Sequence, residues 1–293
     1  MGGNDKSFQD ISNELLGFSH PKVRANRLPS YKAIKKLIPD LIHLLFPHYH
    51  FEALESEESL ARSVPKTMAD AHAVLAKELQ GALVFKEGLE VDQAGLQRRA
   101  GAIAMDLLRE LPAIRRMLEC DLLEMMAHDP AARSTEEVIL AYPGFLALSV
   151  YRLAHFLDNA QIPLVPRIMS EIVHSATGID IHPSAQIAPY CSIDHGTGLI
   201  IGETTIIGEH ANLYHNVTLG SRSVSPEFRN KKRHPTLQDH VIVYPGATIL
   251  GDITVGSGSV IGGNVFLLES CPPNSKIYAK PPEMICRTSA GGT

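Results

Sequence analysis

A period of six residues constrains this 293-residue chain more than any other feature. After Gly178, aliphatic residues recur at Ile181, Ile187 and Ile193, then at Ile201, Ile207, Leu213 and Leu219, and again at Leu237, Val243, Ile249, Val255, Ile261 and Leu267. Four places after most of these anchors stands a small or β-branched residue: Ala185, Cys191, Thr205, Ala211, Val217, Val241, Ala247, Ile253, Ser259 and Val265. Such residues suit a narrow interior. A period of six is neither helical nor that of an ordinary strand, and it predicts a parallel β-helix whose coils bury one aliphatic row against the next. The phase slips twice. Ile193 to Ile201 spans eight residues, and Leu219 to Leu237 spans eighteen. The longer interruption, residues 220–236, is an inserted loop carrying Arg222, Arg229, Lys231, Lys232 and Arg233 and ending in His234-Pro235. An insertion in a regular solenoid points outward and is a natural place for a binding site.

Before Gly178 the spacing is helical. Residues 31–46 repeat apolar positions every three or four places around Pro39, which predicts a kinked or split helix. Segments 67–84, 92–117, 117–127 and 136–158 are likewise helical, rich in Ala, Leu, Glu, Arg and Met, with breakers such as Gly88 and Pro130 between them. The expected organisation is α + β: a helical domain over 1–175, a β-helix over 176–285 with the loop inserted, and a short tail over 286–293. The helical pattern fits a bundle, a repeat array or an oligomerisation module, and says nothing about chemistry.

A net charge of −5, from 27 basic and 32 acidic residues, lacks the footprint of a nucleic-acid or anionic-membrane binder. The four cysteines form no CxxC pair, so neither a disulfide framework nor a zinc knuckle is expected, and a reducing cytoplasm fits. The first nine residues do not read as a secretory signal, and no apolar run approaches the length of a membrane span.

The repeat resembles that of the hexapeptide-repeat transferases, whose solenoid is a left-handed β-helix, commonly trimeric, with acetyl- or acyl-CoA bound between subunits. The handedness comes from the resemblance alone, since parallel crossovers are right-handed as a rule. The strings Asp180-Ile181-His182-Pro183-Ser184-Ala185, Ile193-Asp194-His195-Gly196-Thr197-Gly198 running into Ile201-Gly202-Glu203-Thr204, Val217-Thr218-Leu219-Gly220 and Arg233-His234-Pro235 are similar to those of serine O-acetyltransferases. So are His128-Asp129-Pro130-Ala131 and, beyond it, Tyr142-Pro143-Gly144-Phe145. The likeness covers roughly residues 120–285. It implies transfer of acetyl from acetyl-CoA to L-serine, the first step of cysteine synthesis from serine, without a metal. It also implies His195 as catalytic base with Asp180 as its orienting partner, and Asp129, Asp194, Arg233 and His234 around the serine. Gly220, Gly246, Gly262, Gly263 and Lys280 are the candidates for holding CoA. A trimer or dimer of trimers and feedback inhibition by cysteine are family habits.

The chemistry suits those residues. A serine hydroxyl must lose its proton as it attacks the thioester, and a neutral imidazole can take it and pass it to the leaving thiolate. A carboxylate on the other ring nitrogen fixes the tautomer. The nucleophile belongs to the substrate, so direct transfer in a ternary complex is expected. Asp129 and Asp194 suit the ammonium of serine, and the planar fork of Arg233, with His234 as a second donor, suits its carboxylate. Ser221 stands where relatives often have a second glycine, Ala279-Lys280-Pro281-Pro282 replaces a common Gly-Val-Pro-Ala, and the last residue is Thr293 rather than isoleucine. Docking to O-acetylserine sulfhydrylase through a C-terminal isoleucine is therefore not expected. The rival readings are an acetyltransferase for a sugar or homoserine on the same scaffold, and a β-helix without catalysis.

Overall fold

The computed structural model describes residues 7–17, 28–49, 56–88, 91–223, 225, 227 and 231–280. The tail 286–293 and Arg229 of the inserted loop lie outside them. Two compact units emerge, one of Met1–Arg116 with Leu148–Val173, the other of Met117–Ala147 with His174–Thr293.

The first unit is helical. It contains α1 (Phe8–Gly17), α2 (Tyr31–Leu45), α3 (Glu57–Glu87), the first part of α4 (Gln93–His128), and parts of α6 (Pro143–Asn159) and α7 (Val165–Thr177); α5 (Thr135–Ala141) belongs to the second unit. Ser30 and Ser56 cap α2 and α3 by accepting the backbone N–H three residues on. Gly88 ends α3 at φ +93, where a side chain would be strained. Of the kinked or split helix expected around Pro39, the split does not occur: α2 runs through Pro39 without a break. The segments expected at 92–117 and 117–127 form one helix that contains Pro112. Buried rows explain both: Ile34, Leu37, Ile38, Leu41 and Leu45 in α2, and Leu107, Leu111, Ile114, Leu118 and Met125 in α4, keep one apolar face across each proline. The expected helix over 136–158 is instead two, parted at Tyr142 where Pro143 starts α6.

In the second unit the chain forms short parallel strands: β1 (Asp180–Ile181), β2 (Gln186–Ile187), β3 (Ser192–Ile193), β4 (Ile200–Ile201), β5 (Ile206–Ile207), β6 (Asn212–Leu213), β7 (Thr218–Gly220), β8 (Thr236–Leu237), β9 (Ile242–Val243), β10 (Thr248–Leu250), β11 (Thr254–Val255), β12 (Val260–Ile261), β13 (Phe266–Leu267) and β14 (Lys276–Ile277). They stack into three sheets, ordered β1-β4-β7-β10-β13, β2-β5-β8-β11 and β3-β6-β9-β12-β14. This is the left-handed parallel β-helix, and each six-residue step is one side of the prism. Every anchor of the period lies in a strand, and all but Leu267 are buried. Fully burying one such side chain contributes about 1.5–3 kcal/mol.

The ladder registers locate both phase slips. Ile201 pairs Leu219, but Ile181 pairs Ile201 and Leu219 pairs Ile249. The extra residues therefore lie at the corner holding His195 and in the loop before His234. The prism has three edges. One, from the third sheet to the first, carries Asp194-His195, Tyr214-His215, Tyr244-Pro245 and Gly262-Gly263. A second, from the first sheet to the second, carries His182, Gly202-Glu203-Thr204 and the inserted loop. On the remaining edge Tyr190, His210 and His240 stack, with ring centroids 4.4 and 4.7 Å apart.

The end of α4 is tied to the β-helix by buried carboxylates. Asp121 accepts the Cys191 backbone N–H at 2.9 Å, and Glu124 accepts from Asn212 Nδ2 at 3.2 Å and lies 2.8 Å from His210 Nδ1. These contacts fix where Asp129, at the helix terminus, can reach.

Candidate active site

His195 owes its position to the lengthened corner. His195 takes φ +55 there, and Tyr190, His210, Asn216, His240 and Asn264 likewise take positive φ at corners of ordinary length, so the left-handed conformation belongs to the coil's turn. Its side chain is 71% exposed, with Nδ1 3.5 Å from Asp194 Oδ1. The His215 ring lies 5.6 Å away, and His215 Nδ1 is buried with no hydrogen-bond partner among the described residues. Gly144, in the first turn of α6, packs so tightly on β3 that an added Cβ would collide with the Ile193 carbonyl oxygen and sit 2.9 Å from Ile193 Cβ. The backbone just before Asp194 and His195 is thus pinned from outside.

Asp129 joins this group. Its Oδ1 accepts the Ala131 N–H at 2.8 Å, and its Oδ2 accepts the Tyr142 hydroxyl at 2.6 Å. The Tyr142 bond, more than any other influence, holds the Asp129 carboxyl below the usual carboxylate range, with nearby His195 acting in the same direction. The same bond pushes the Tyr142 phenol up to about 12, helped by Asp194. Tyr214, raised chiefly by burial, also feels Asp194 and Asp129. One corner therefore gathers an imidazole, two carboxylates and two phenols. It can take up a proton and bind a cationic group.

Arg233 and His234 lie on a different edge of the prism, at the end of the inserted loop. Arg233 pairs with Glu203 through a very short contact. His234 is 7% exposed, and burial, reinforced by Arg233, pulls its imidazole down to about 4, so the ring is neutral at pH 7. Lys232 donates to the carbonyl oxygens of Thr204 and His234 at 2.6 and 2.5 Å, which fastens the loop's return to the coil beneath. Burial lowers the Lys232 ammonium from its ordinary value. This second cluster presents donors and positive charge, the complement of the first.

No hydrogen bond or ion pair joins Asp180 to His195 among the described residues. Asp180 opens β1, with a carboxylate oxygen within 4.8 Å of a ring nitrogen of His174. The candidate glycines have packing reasons of their own. A Cβ at Gly220 would meet Leu250 Cδ2 at 2.8 Å, one at Gly262 would meet Tyr278 Cδ1 at 2.6 Å, and Gly246 has φ +74. At Gly263 the nearest obstacle is the Pro245 carbonyl oxygen at 3.2 Å. Gly246, Gly262 and Gly263 nevertheless share the His195 edge, along which Tyr214 and Tyr244 stack at 5.3 Å. Lys280, exposed, follows β14. Motif reading missed Tyr142, Glu203 and Thr204, and it read Lys232 only as one of the basic residues of the inserted loop. Tyr142, Glu203 and Thr204 stand inside strings that carried the resemblance, so their place in those strings was the available signal.

Among the described residues no single helix is long and apolar enough to cross a membrane. Residues 51–150 match the family described as serine acetyltransferase, N-terminal. A plasmid-encoded serine acetyltransferase of Synechococcus elongatus is 39% identical over 259 residues, which is 85% of this chain and 81% of that protein. In structure, serine acetyltransferase 1 of Entamoeba histolytica, solved in complex with L-cysteine, superposes with a TM-score of 0.72 at 32% identity, over 91% of this chain and 94% of that one. The serine acetyltransferase of Neisseria gonorrhoeae, solved with serine, gives 0.57 at 25% identity, over 89% and 99%.

Proposed function

Since this chain belongs to the serine acetyltransferase family and is an acyltransferase, we propose that it moves the acetyl group of acetyl-CoA to the hydroxyl of L-serine with His195 as general base. The observation that carries this reading is the exposed His195, held at a lengthened corner near Asp194 and Asp129. Those carboxylates take the ammonium of serine. His195 removes the hydroxyl proton as oxygen attacks the thioester carbonyl, then returns it to the departing CoA thiolate, so no protein group is acylated. The orienting carboxylate is Asp180 by resemblance and Asp194 by proximity. Asp180→Asn and Asp194→Asn measured side by side decide between them, the true partner being the one whose loss lowers kcat at unchanged KM for acetyl-CoA.

The donors that suit serine's carboxylate, Arg233 and His234, stand on another edge of the prism from His195. A homotrimer, with the basic edge of one protomer facing the His195 edge of the next, brings the two clusters together. The extended pantetheine arm of acetyl-CoA then lies along the His195 edge, past Tyr214, Gly246 and Gly263, with Lys280 available to the phosphates. Acceptance of cysteine as an inhibitor follows the same logic, because cysteine carries the same ammonium and carboxylate.

The test is CoA thiol release by the purified protein with L-serine, homoserine and a panel of sugars, with His195→Ala alongside. The expected result is release with serine and a fall in kcat of about 10²–10⁴ in the variant. Equal rates for the variant and the parent, or release with sugars only, refute the proposal.

A further inference from the structure

Thr204 uses every polar atom it has on the loop that returns to β8. Its backbone N–H lies 3.1 Å from His234 Nδ1, and its hydroxyl lies 2.9 Å from the same nitrogen. Its Oγ1 accepts the backbone N–H groups of Arg233 at 2.9 Å and His234 at 3.1 Å. Its carbonyl oxygen accepts from Lys232 Nζ at 2.6 Å. Both acceptor sites of the hydroxyl are thereby filled, and its own hydrogen has only His234 Nδ1 to point at. A proton on Nδ1 would face two donors, so it sits on Nε2. Nε2 makes no hydrogen bond among the described residues. The ring edge bearing it lies over Gly202, where an added Cβ would collide with Cδ2 and Nε2 and stand 2.9 Å from Cγ.

We propose that Thr204 is a positioning residue for substrate recognition: it locks His234 as the Nε2–H tautomer and aims that N–H, beside Arg233, at the carboxylate of the amino-acid acceptor. The inference rests on the reading that Arg233 and His234 hold that carboxylate. It assigns acceptor selectivity to a residue that touches no substrate. The buried neutral ring then serves as a fixed donor while Arg233 supplies the charge.

The experiment compares the full-length wild type with Thr204→Val, Thr204→Ser and His234→Gln, using L-serine and L-serinamide as acceptors; serinamide keeps the ammonium and hydroxyl but lacks the carboxylate. For Thr204→Val the KM for serine is expected to rise about tenfold with kcat within about threefold, while the KM for serinamide moves less than about twofold. Thr204→Ser, which keeps the hydroxyl, stays near wild type. An unchanged KM for serine in Thr204→Val, or an equal rise for both acceptors, overturns the inference. His234→Gln separates the two layers. If it raises the serine KM and Thr204→Val does not, only the role of Thr204 falls; if it leaves the serine KM alone, the carboxylate reading of His234 falls with it. A second measurement needs no folded Thr204 variant: the ¹⁵N histidine spectrum of wild type at pH 7, with the His234 signals identified by their loss in His234→Gln. Protonated Nε2 with bare Nδ1 supports the lock, and the opposite tautomer overturns it.

Discussion

Tyr142→Phe removes one oxygen and nothing else from the acidic corner. That oxygen donates to Asp129 at 2.6 Å, within the range of a charge-assisted O–H···O⁻ bond, a class whose net contribution is about 1.5–3 kcal/mol. Asp129 is partly open to water, which replaces much of the lost bond, so about 1 kcal/mol is the reasonable expectation. Tyr142 touches the carboxylate rather than the reacting atoms, so the loss falls on acceptor binding. The KM for L-serine should rise about fivefold, with kcat and the KM for acetyl-CoA nearly unchanged. Asp129 remains ionised at pH 7 in the variant, since its carboxyl only returns upward toward the ordinary value; what is lost is aim. The stabilising effect of the bond is present above pH 3.8 and is lost as pH falls through the depressed value in the folded chain, so wild type and variant converge in stability at low pH. Steady-state kinetics with each substrate varied in turn is the assay. A serine KM within twofold of wild type, alongside a large rise in Asp129→Asn, refutes the clamp, and so does a fall in kcat as large as the rise in KM.

Gly144→Ala places a methyl against the Ile193 backbone and is expected to cost about 1–3 kcal/mol in overpacking and to lower activity by shifting Asp194 and His195, read by thermal unfolding and thiol release. Asp121→Ala strands the buried Cys191 N–H and should destabilise by about 1–3 kcal/mol in urea unfolding at fixed protein concentration; a loss below 0.5 kcal/mol contradicts the anchoring role. Stability should fall as pH drops from about 6.5 to about 4, because the unfolded chain protonates His234 over that window and the folded chain does not. His234→Gln should flatten that part of the profile.

Local residue chemistry settled a great deal of this protein in advance. The six-residue step, the coil-interior residues from Ala185 to Val265 and both phase slips follow from how much room each position leaves, and every anchor of that step lies in a strand. The candidates His195, Asp194 and Asp129 could be named from strings that resemble those of serine O-acetyltransferases, and their residue types then suit the chemistry of the acceptor. Tertiary structure decided what no spacing encodes. Pro39 and Pro112 sit inside continuous helices, because buried apolar rows outweigh one missing hydrogen bond in each. Tyr142 reaches Asp129 across thirteen residues and Thr204 reaches His234 across thirty, contacts made by folding rather than by sequence neighbourhood. The separation of His195 and His234 onto different edges of the prism is likewise a matter of where each coil turns. A periodic sequence specifies the coil because every step repeats the same burial problem; the site arises where the repetition breaks, and only the packing around those breaks determines which side chains meet.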